Sequence, residues 1–220
     1  MILYVTRHGQ PAESADDFYT PGDPKLSVLG QQQAAALGRR LKNMGFNGKI
    51  LASPYYRTAQ TANLVAEQLH SDFTLSPAMR EYASEDIERF QGMTLEQLSK
   101  SFDHLATNAE LLWPWWTIQR EDTGDILDNV VSRMTPFFER LITDYGNNDV
   151  LLVGHGASVS ATHYYFIAQH DPEHYQKIGH NWNCFLTAVE LTPSIHVQFS
   201  CNVDHLADAM VTCNNKRRER

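Results

Sequence analysis

Val150-Leu151-Leu152-Val153-Gly154-His155-Gly156 runs four apolar residues in succession, turns through glycine, histidine and glycine, and enters a helical stretch. Apolar residues without alternation mark a strand buried on both faces, and such strands belong to parallel sheets covered by helices. The same pattern recurs elsewhere in the chain. Ile2–Thr6 leads into Arg7-His8-Gly9, and Lys49–Ala52 leads through Ser53-Pro54 into a helical pattern over Tyr56–Leu69. Leu186–Glu190 and His196–Ser200 read as two further strands. Ala34, Leu37, Leu41 and Met44 recur at helical spacing, as do Ile126, Val130, Met134, Phe138 and Leu141. Pro136 lies inside the second pattern, so that helix is expected to kink or break there. The fold class that follows is α/β: three α/β/α layers around a mainly parallel sheet.

The 220 residues suit one large domain, since domains typically run ~100–200 residues. We expect a single domain over 1–213 and a basic, frayed tail over 214–220. The stretch from about 84 to 124 breaks the strand–helix alternation and reads as a helical insertion near the active site. It carries Trp113, Trp115 and Trp116, which are expected to form a wall of the pocket.

Composition narrows the function. Lys plus Arg number 18 and Asp plus Glu 26, a net charge of −8, which argues against broad nucleic-acid binding. No apolar run reaches the ~18 residues of a membrane span, so no membrane partner is expected. Three cysteines, Cys184, Cys201 and Cys213, show no CxxC spacing. Together with an N-terminus that lacks a signal-peptide pattern, they point to a reducing cytoplasm. His163, His170, His174 and His180 invite a metal reading, but Pro172 interrupts the helix that the His170/His174 spacing would need. Neither metal nor other cofactor is expected.

The chemistry gathers where strands end, because ligands of open parallel sheets bind beyond the carboxyl ends of the strands. Arg7 and His8 follow the first strand, and His155 and Gly156 follow Val150–Val153. Glycine beside each histidine lets backbone approach a ligand closely. Arg57 falls in the first turn of a helix, where a cation opposes the macrodipole; binding an anion there would explain the cost.

Five blocks in series carry a resemblance. They are Arg7-His8-Gly9, Leu26-Ser27-Val28-Leu29-Gly30-Gln31-Gln32-Gln33-Ala34, Ser53-Pro54-Tyr55-Tyr56-Arg57-Thr58-Ala59-Gln60-Thr61-Ala62, Met79-Arg80-Glu81 and Val153-Gly154-His155-Gly156. In this order they resemble the histidine phosphatase (phosphoglycerate mutase-like) superfamily, in its small cytoplasmic branch. The resemblance implies that His8 is a nucleophile accepting a phosphoryl group and that Glu81 donates a proton. It also implies that Arg7, Arg57, His155 and Gly156 hold the phosphoryl oxygens, with His155 protonated. Glu85, Asp86 and Glu88 read as a solvated acidic face, with Glu85 or Glu88 the alternative acid.

The implied activity is hydrolysis of a small-molecule phosphate monoester. A phosphoglycerate mutase is the alternative, but Gln10-Pro11-Ala12-Glu13-Ser14 lacks the asparagine that mutases carry there. Asp23-Pro24-Lys25-Leu26 is nearer the phosphatase pattern. A non-catalytic phospho-ligand-binding module is the third reading, and the full set of His8, Arg7, Arg57, His155 and Glu81 speaks against it. Neither the ester nor the oligomeric state is legible.

Overall fold

The computed structural model describes residues 1–13, 18–20, 22–82, 91–106, 125–146, 148–213 and 216–217, with backbone alone at 18–20 and 216–217. Trp113, Trp115, Trp116, Glu85, Asp86 and Glu88 lie outside the described residues, as does most of the expected insertion. The first half of the chain forms β1 (Ile2–Arg7), β2 (Phe18–Thr20), β3 (Asp23–Pro24), α1 (Val28–Asn43), β4 (Lys49–Ala52), α2 (Tyr56–Leu69), β5 (Phe73–Leu75) and α3 (Leu95–Ser101). The second half adds α4 (Ile126–Tyr145), β6 (Val150–Gly154), α5 (Gly156–His163), α6 (Pro172–Tyr175), β7 (Leu186–Glu190), β8 (His196–Asn202), β9 (Thr212–Cys213) and β10 (Lys216–Arg217).

Six strands form the central sheet in the order β5-β4-β6-β1-β7-β8. β5, β4, β6 and β1 pair parallel, while β7 and β8 join antiparallel. Successive residues of each inner strand point to opposite faces. Tyr4, Ile50, Ala52, Leu151 and Val153 enter one core with Leu37 and Leu41 of α1 and Ala62 and Val65 of α2. Leu3, Val5, Leu51, Val150 and Leu152 enter the other, with Val130, Met134, Phe138 and Leu141 of α4 and Val159 of α5. Both faces are therefore covered, as the unalternating apolar runs require.

Three details differ from the sequence reading. α4 runs unbroken through Pro136. Pro136 and Ser132, whose carbonyl loses its helical partner, are both exposed, so water can serve that carbonyl while the buried face holds the helix together. Met44 caps α1 and is 39% exposed, since the chain leaves the helix at that point. β5 went unread: three residues on a sheet edge leave little pattern. Of the tail expected to fray, Lys216–Arg217 are described, and they pair antiparallel with Thr212–Cys213. Among the described residues, no helix is long and apolar enough to cross a membrane.

Close packing fixes the loop after β1. A Cβ on Gly9 would stand 2.5 Å from the carbonyl oxygen of Gly30, and one on Gly30 would overlap the carbonyl of Gln10. Ser27, the N-cap of α1, accepts from Gly30 N at 3.0 Å and donates to Gln10 Oε1 at 2.8 Å. Gly30→Ala should therefore cost about 1–3 kcal/mol of stability, the usual range for overpacking. Urea unfolding measures this, and a wild-type midpoint would mean that the loop is not held by this contact.

Candidate active site

β1 and β6 are adjacent and parallel, with Arg7 opposite Gly154. The ladder continues one step further, because His8 N donates to Gly154 O at 3.0 Å. His8 and His155 thus emerge side by side at the carboxyl edge of the sheet, their ring centroids 5.3 Å apart and their planes inclined by 62°. Both are buried, at 3% and 0% exposure.

The His8 ring is fixed by its own loop. Nδ1 lies 2.7 Å from the carbonyl oxygen of Gly9, which can only accept, so Nδ1 carries the proton and Nε2 keeps its lone pair. The loop backbone is held from two sides. Asn183 Nδ2 donates to His8 O at 3.0 Å, and Gly9 N donates to Thr61 Oγ1 of α2 at 3.1 Å. Burial first, then the guanidiniums of Arg57 and Arg7, holds the His8 imidazole well below the usual histidine range, against the Gly9 hydrogen bond.

His155 lies between Ser53 and Tyr55. Its Nε2 sits 2.8 Å from Ser53 Oγ, and the Tyr55 ring meets it edge-on at 5.4 Å. Burial, Arg57, His8, Arg7 and Arg133, in that order, lower its pKa well below the ordinary value. The resemblance expects a protonated His155 only against the charge of a phosphoryl group. A bound dianion would oppose the same cations and draw the proton back.

Arg57 stands in the first turn of α2, as the sequence places it, and its cost there is met by a buried carboxylate. Its Nη1 lies 3.1 Å from Asp23 Oδ1 and donates to Gly22 O at 3.1 Å, while Asp23 Oδ2 accepts from Tyr56 N at 2.7 Å. Burial pushes Asp23 up to about 6, against the pull of Arg57. Arg7 reaches the C-terminal half of the chain, donating through Nη1 to Asn181 O at 3.1 Å and to Cys213 Sγ at 3.3 Å.

Glu81 arrives from the segment after β5. Its Oε1 accepts from Ala157 N at 3.1 Å and from Tyr82 N at 2.9 Å, which seats the carboxylate on the first turn of α5, next to Gly156. Of the six residues singled out in the sequence, Arg7 and His8 end β1, His155 follows β6, Arg57 and Gly156 stand in the first turns of α2 and α5, and Glu81 joins them from the segment after β5. Sequence reading passed over Asp23, Ser53, Tyr55, Arg133 and Asn183. Ser53 and Tyr55 stand inside a quoted block and Asp23 in the quoted stretch Asp23-Pro24-Lys25-Leu26, but nothing local marks Arg133 or Asn183. Among the described residues, no three His, Cys, Asp or Glu side chains gather as a metal site.

Fold and site together define an α/β protein with two buried histidines and two arginines gathered at the carboxyl edge of its sheet. The chain belongs to the histidine phosphatase superfamily (branch 1), whose family model matches residues 3–201. It is similar to a probable phosphoglycerate mutase, GpmB, of Erwinia tasmaniensis, 24% identical over 163 residues that cover 71% of this chain and 70% of that protein. It is also similar to an uncharacterized phosphatase, PhoE, of Bacillus subtilis, 26% identical over 140 residues. Those cover 63% of each, so the chain matches less than two thirds of that relative. Among solved structures, the ecdysone phosphate phosphatase of Bombix mori, in complex with tungstate, superposes with a TM-score of 0.67. The match covers 94% of this chain and 95% of that one at 17% identity, a likeness of fold.

The buried imidazoles make stability depend on pH with a definite sign. His163 and His205 are lowered to about 4 and join His8 and His155, whereas unfolded histidines titrate near ~6.5. Below that value the unfolded chain binds more protons, so stability falls as pH falls. Asp23 acts the other way between 3.8 and about 6, where the native state holds its proton. Four histidines against one carboxylate leave a net loss of about 1.4 kcal/mol per pH unit for each uncompensated proton. The urea midpoint should drop from pH 7 to pH 5; an unchanged midpoint would show that these imidazoles titrate alike in both states.

Proposed function

We propose that the protein is a phosphatase that hydrolyses a small phosphate monoester through a phosphohistidine on His8, with Glu81 as the proton donor and no metal. The observation that carries this reading is the His8 ring: its Nδ1 proton is committed to Gly9 O, which leaves the Nε2 lone pair free, and the ring stands 5.3 Å from that of His155. A free lone pair at neutral pH is what a nucleophilic imidazole requires. Arg7, Arg57 and His155, with the backbone at Gly156, hold the phosphoryl oxygens.

In the first step the Nε2 lone pair forms the N–P bond as the ester P–O bond breaks, and Glu81 gives its proton to the leaving oxygen. The Gly9 carbonyl stabilises the positive charge that develops on the imidazole ring. In the second step a water attacks phosphorus and loses a proton to the Glu81 carboxylate. The N–P bond then breaks, and inorganic phosphate leaves with His8 restored.

His8→Ala should abolish release of phosphate from p-nitrophenyl phosphate; residual turnover above about one per cent would remove His8 from the nucleophile's role. Substrate fate separates this reading from the mutase suggested by the likeness to GpmB. With 3-phosphoglycerate, 2-phosphoglycerate should not appear at a useful rate, with or without a bisphosphate primer. Efficient interconversion would restore the mutase.

Glu81→Gln has a sharper signature. An alkyl alcohol leaves poorly without a proton, whereas p-nitrophenolate leaves unaided. Phosphoenzyme formation from an alkyl ester should slow ~10²–10⁴-fold, and that from p-nitrophenyl phosphate much less. The first step is read by trapping the phosphohistidine, and equal losses for both esters would assign Glu81 to positioning.

A further inference from the structure

A cavity of about 660 Å³ opens at the start of α5, where the Ala157 N–H holds Glu81. Ile126 and Leu127 of α4, Gly156, Ala157 and Ser160 of α5, and Tyr175 of α6 line it, with Asp125 as its charged member. Ligand pockets typically measure ~300–1,000 Å³, so it can hold a small organic group.

Two contacts tie this space to the phosphoryl end of the site. Ala157 N holds Glu81 Oε1, and the point a Cβ on Gly156 would occupy lies 3.9 Å from Glu81 Oε2. On the other side, Ser160 Oγ accepts from Asn181 Nδ2 at 2.9 Å, and the carbonyl of Asn181 accepts from Arg7 at 3.1 Å. An ester whose phosphoryl group meets Arg7 and whose leaving oxygen meets Glu81 directs its alcohol portion into this cavity.

The lining selects the alcohol. Ile126 keeps 50% exposure, and Leu127 and Ala157 add further apolar surface. The polar groups are two hydroxyls, on Ser160 and Tyr175, and the one charge is the carboxylate of Asp125. No lysine or arginine among the described residues lines the cavity. A second phosphate or a carboxylate on the substrate would lose water against an apolar wall, meet an acid, and find no cation there. An apolar chain would gain about fourfold in affinity for each methylene buried.

Resting on the phosphatase reading, we infer that this cavity is the subsite for the alcohol portion of the substrate. That alcohol is uncharged and mainly apolar, an alkyl or aryl alcohol bearing at most a hydroxyl or two.

The test uses non-hydrolysable phosphonates, so that binding is read apart from turnover. Dissociation constants of ethyl-, butyl- and hexylphosphonate are measured by calorimetry beside that of 3-phosphonopropionate, which carries the extra carboxylate. Affinity should rise about fourfold per methylene until the cavity is filled, and the carboxylate analogue should bind at least tenfold more weakly than butylphosphonate. Ile126 is half-exposed, so Ile126→Lys should fold. It should narrow the gap between hexylphosphonate and 3-phosphonopropionate at least about fivefold while leaving the affinity for inorganic phosphate within about twofold. Flat affinities along the alkyl series, or an unchanged gap in Ile126→Lys, would overturn the inference. Chain-length dependence without His8-dependent phosphate release would uphold the subsite and remove the phosphatase reading instead.

Discussion

The hydrogen bond from His8 N to Gly154 O carries the parallel ladder one residue past the end of β1, and the site depends on it. Because β1 and β6 run in the same direction, their carboxyl ends reach one edge, and the register sets His8 against His155. An antiparallel pairing of the same two strands would send the histidines to opposite edges. β4, on the other side of β6, brings Ser53 to the same edge and starts α2 there, which delivers Arg57. The chemistry is therefore a consequence of strand direction, and strand direction follows from apolar runs that need helices on both faces.

A second constraint is electrostatic. Two arginines and two imidazoles share a buried space, and the arrangement tolerates them by keeping the imidazoles neutral and by sinking one counter-charge, Asp23, beneath Arg57. Asp23 is fully buried and also accepts from Tyr56 N, so it fixes a guanidinium and a helix start together. Breaking such a buried pair by removing one partner leaves an uncompensated charge, which is why the pair positions Arg57 firmly. What remains is an oriented imidazole held well below the usual histidine range beside two guanidiniums.

The parts of this arrangement legible in the sequence are those encoded locally. Val150–Val153 announces a buried strand, and His155 follows it within the same few residues; Arg7 and His8 follow Ile2–Thr6 in the same way. Arg57 could be placed because Ser53-Pro54 ends one element and Tyr56–Leu69 shows helical spacing. Arg133 and Asn183 had no such signal. Arg133 is one polar residue on an amphipathic helix until α4 packs against the segment that carries Arg80, whose carbonyl it reaches at 3.1 Å. Asn183 lies in a loop, and its hydrogen bond to His8 exists only once β7 has docked beside β1. The unbroken helix at Pro136 has the same origin. Local chemistry predicts a break, and the packing of Val130, Met134, Phe138 and Leu141 across it outweighs one missing hydrogen bond.

The same distinction separates the two ends of the site. The end proposed to hold the phosphoryl group is built from short contiguous blocks, because a group that small can be held by residues at the tips of adjacent strands. The space where Ala157 holds Glu81 is built from the start of α4, one face of α5 and Tyr175. These join only through packing, along α4–α5 contacts and the aromatic pairs Phe138–Tyr165 and Tyr164–Tyr175. Nothing in the geometry of His8, Arg7 or Arg57 constrains which residues stand at positions 126, 127 or 175. A fold of this kind can keep one way of handling phosphate and change the alcohol that it accepts by altering the face of a single helix start. The reaction class is then readable from the strand ends, and the substrate must be read from the cavity.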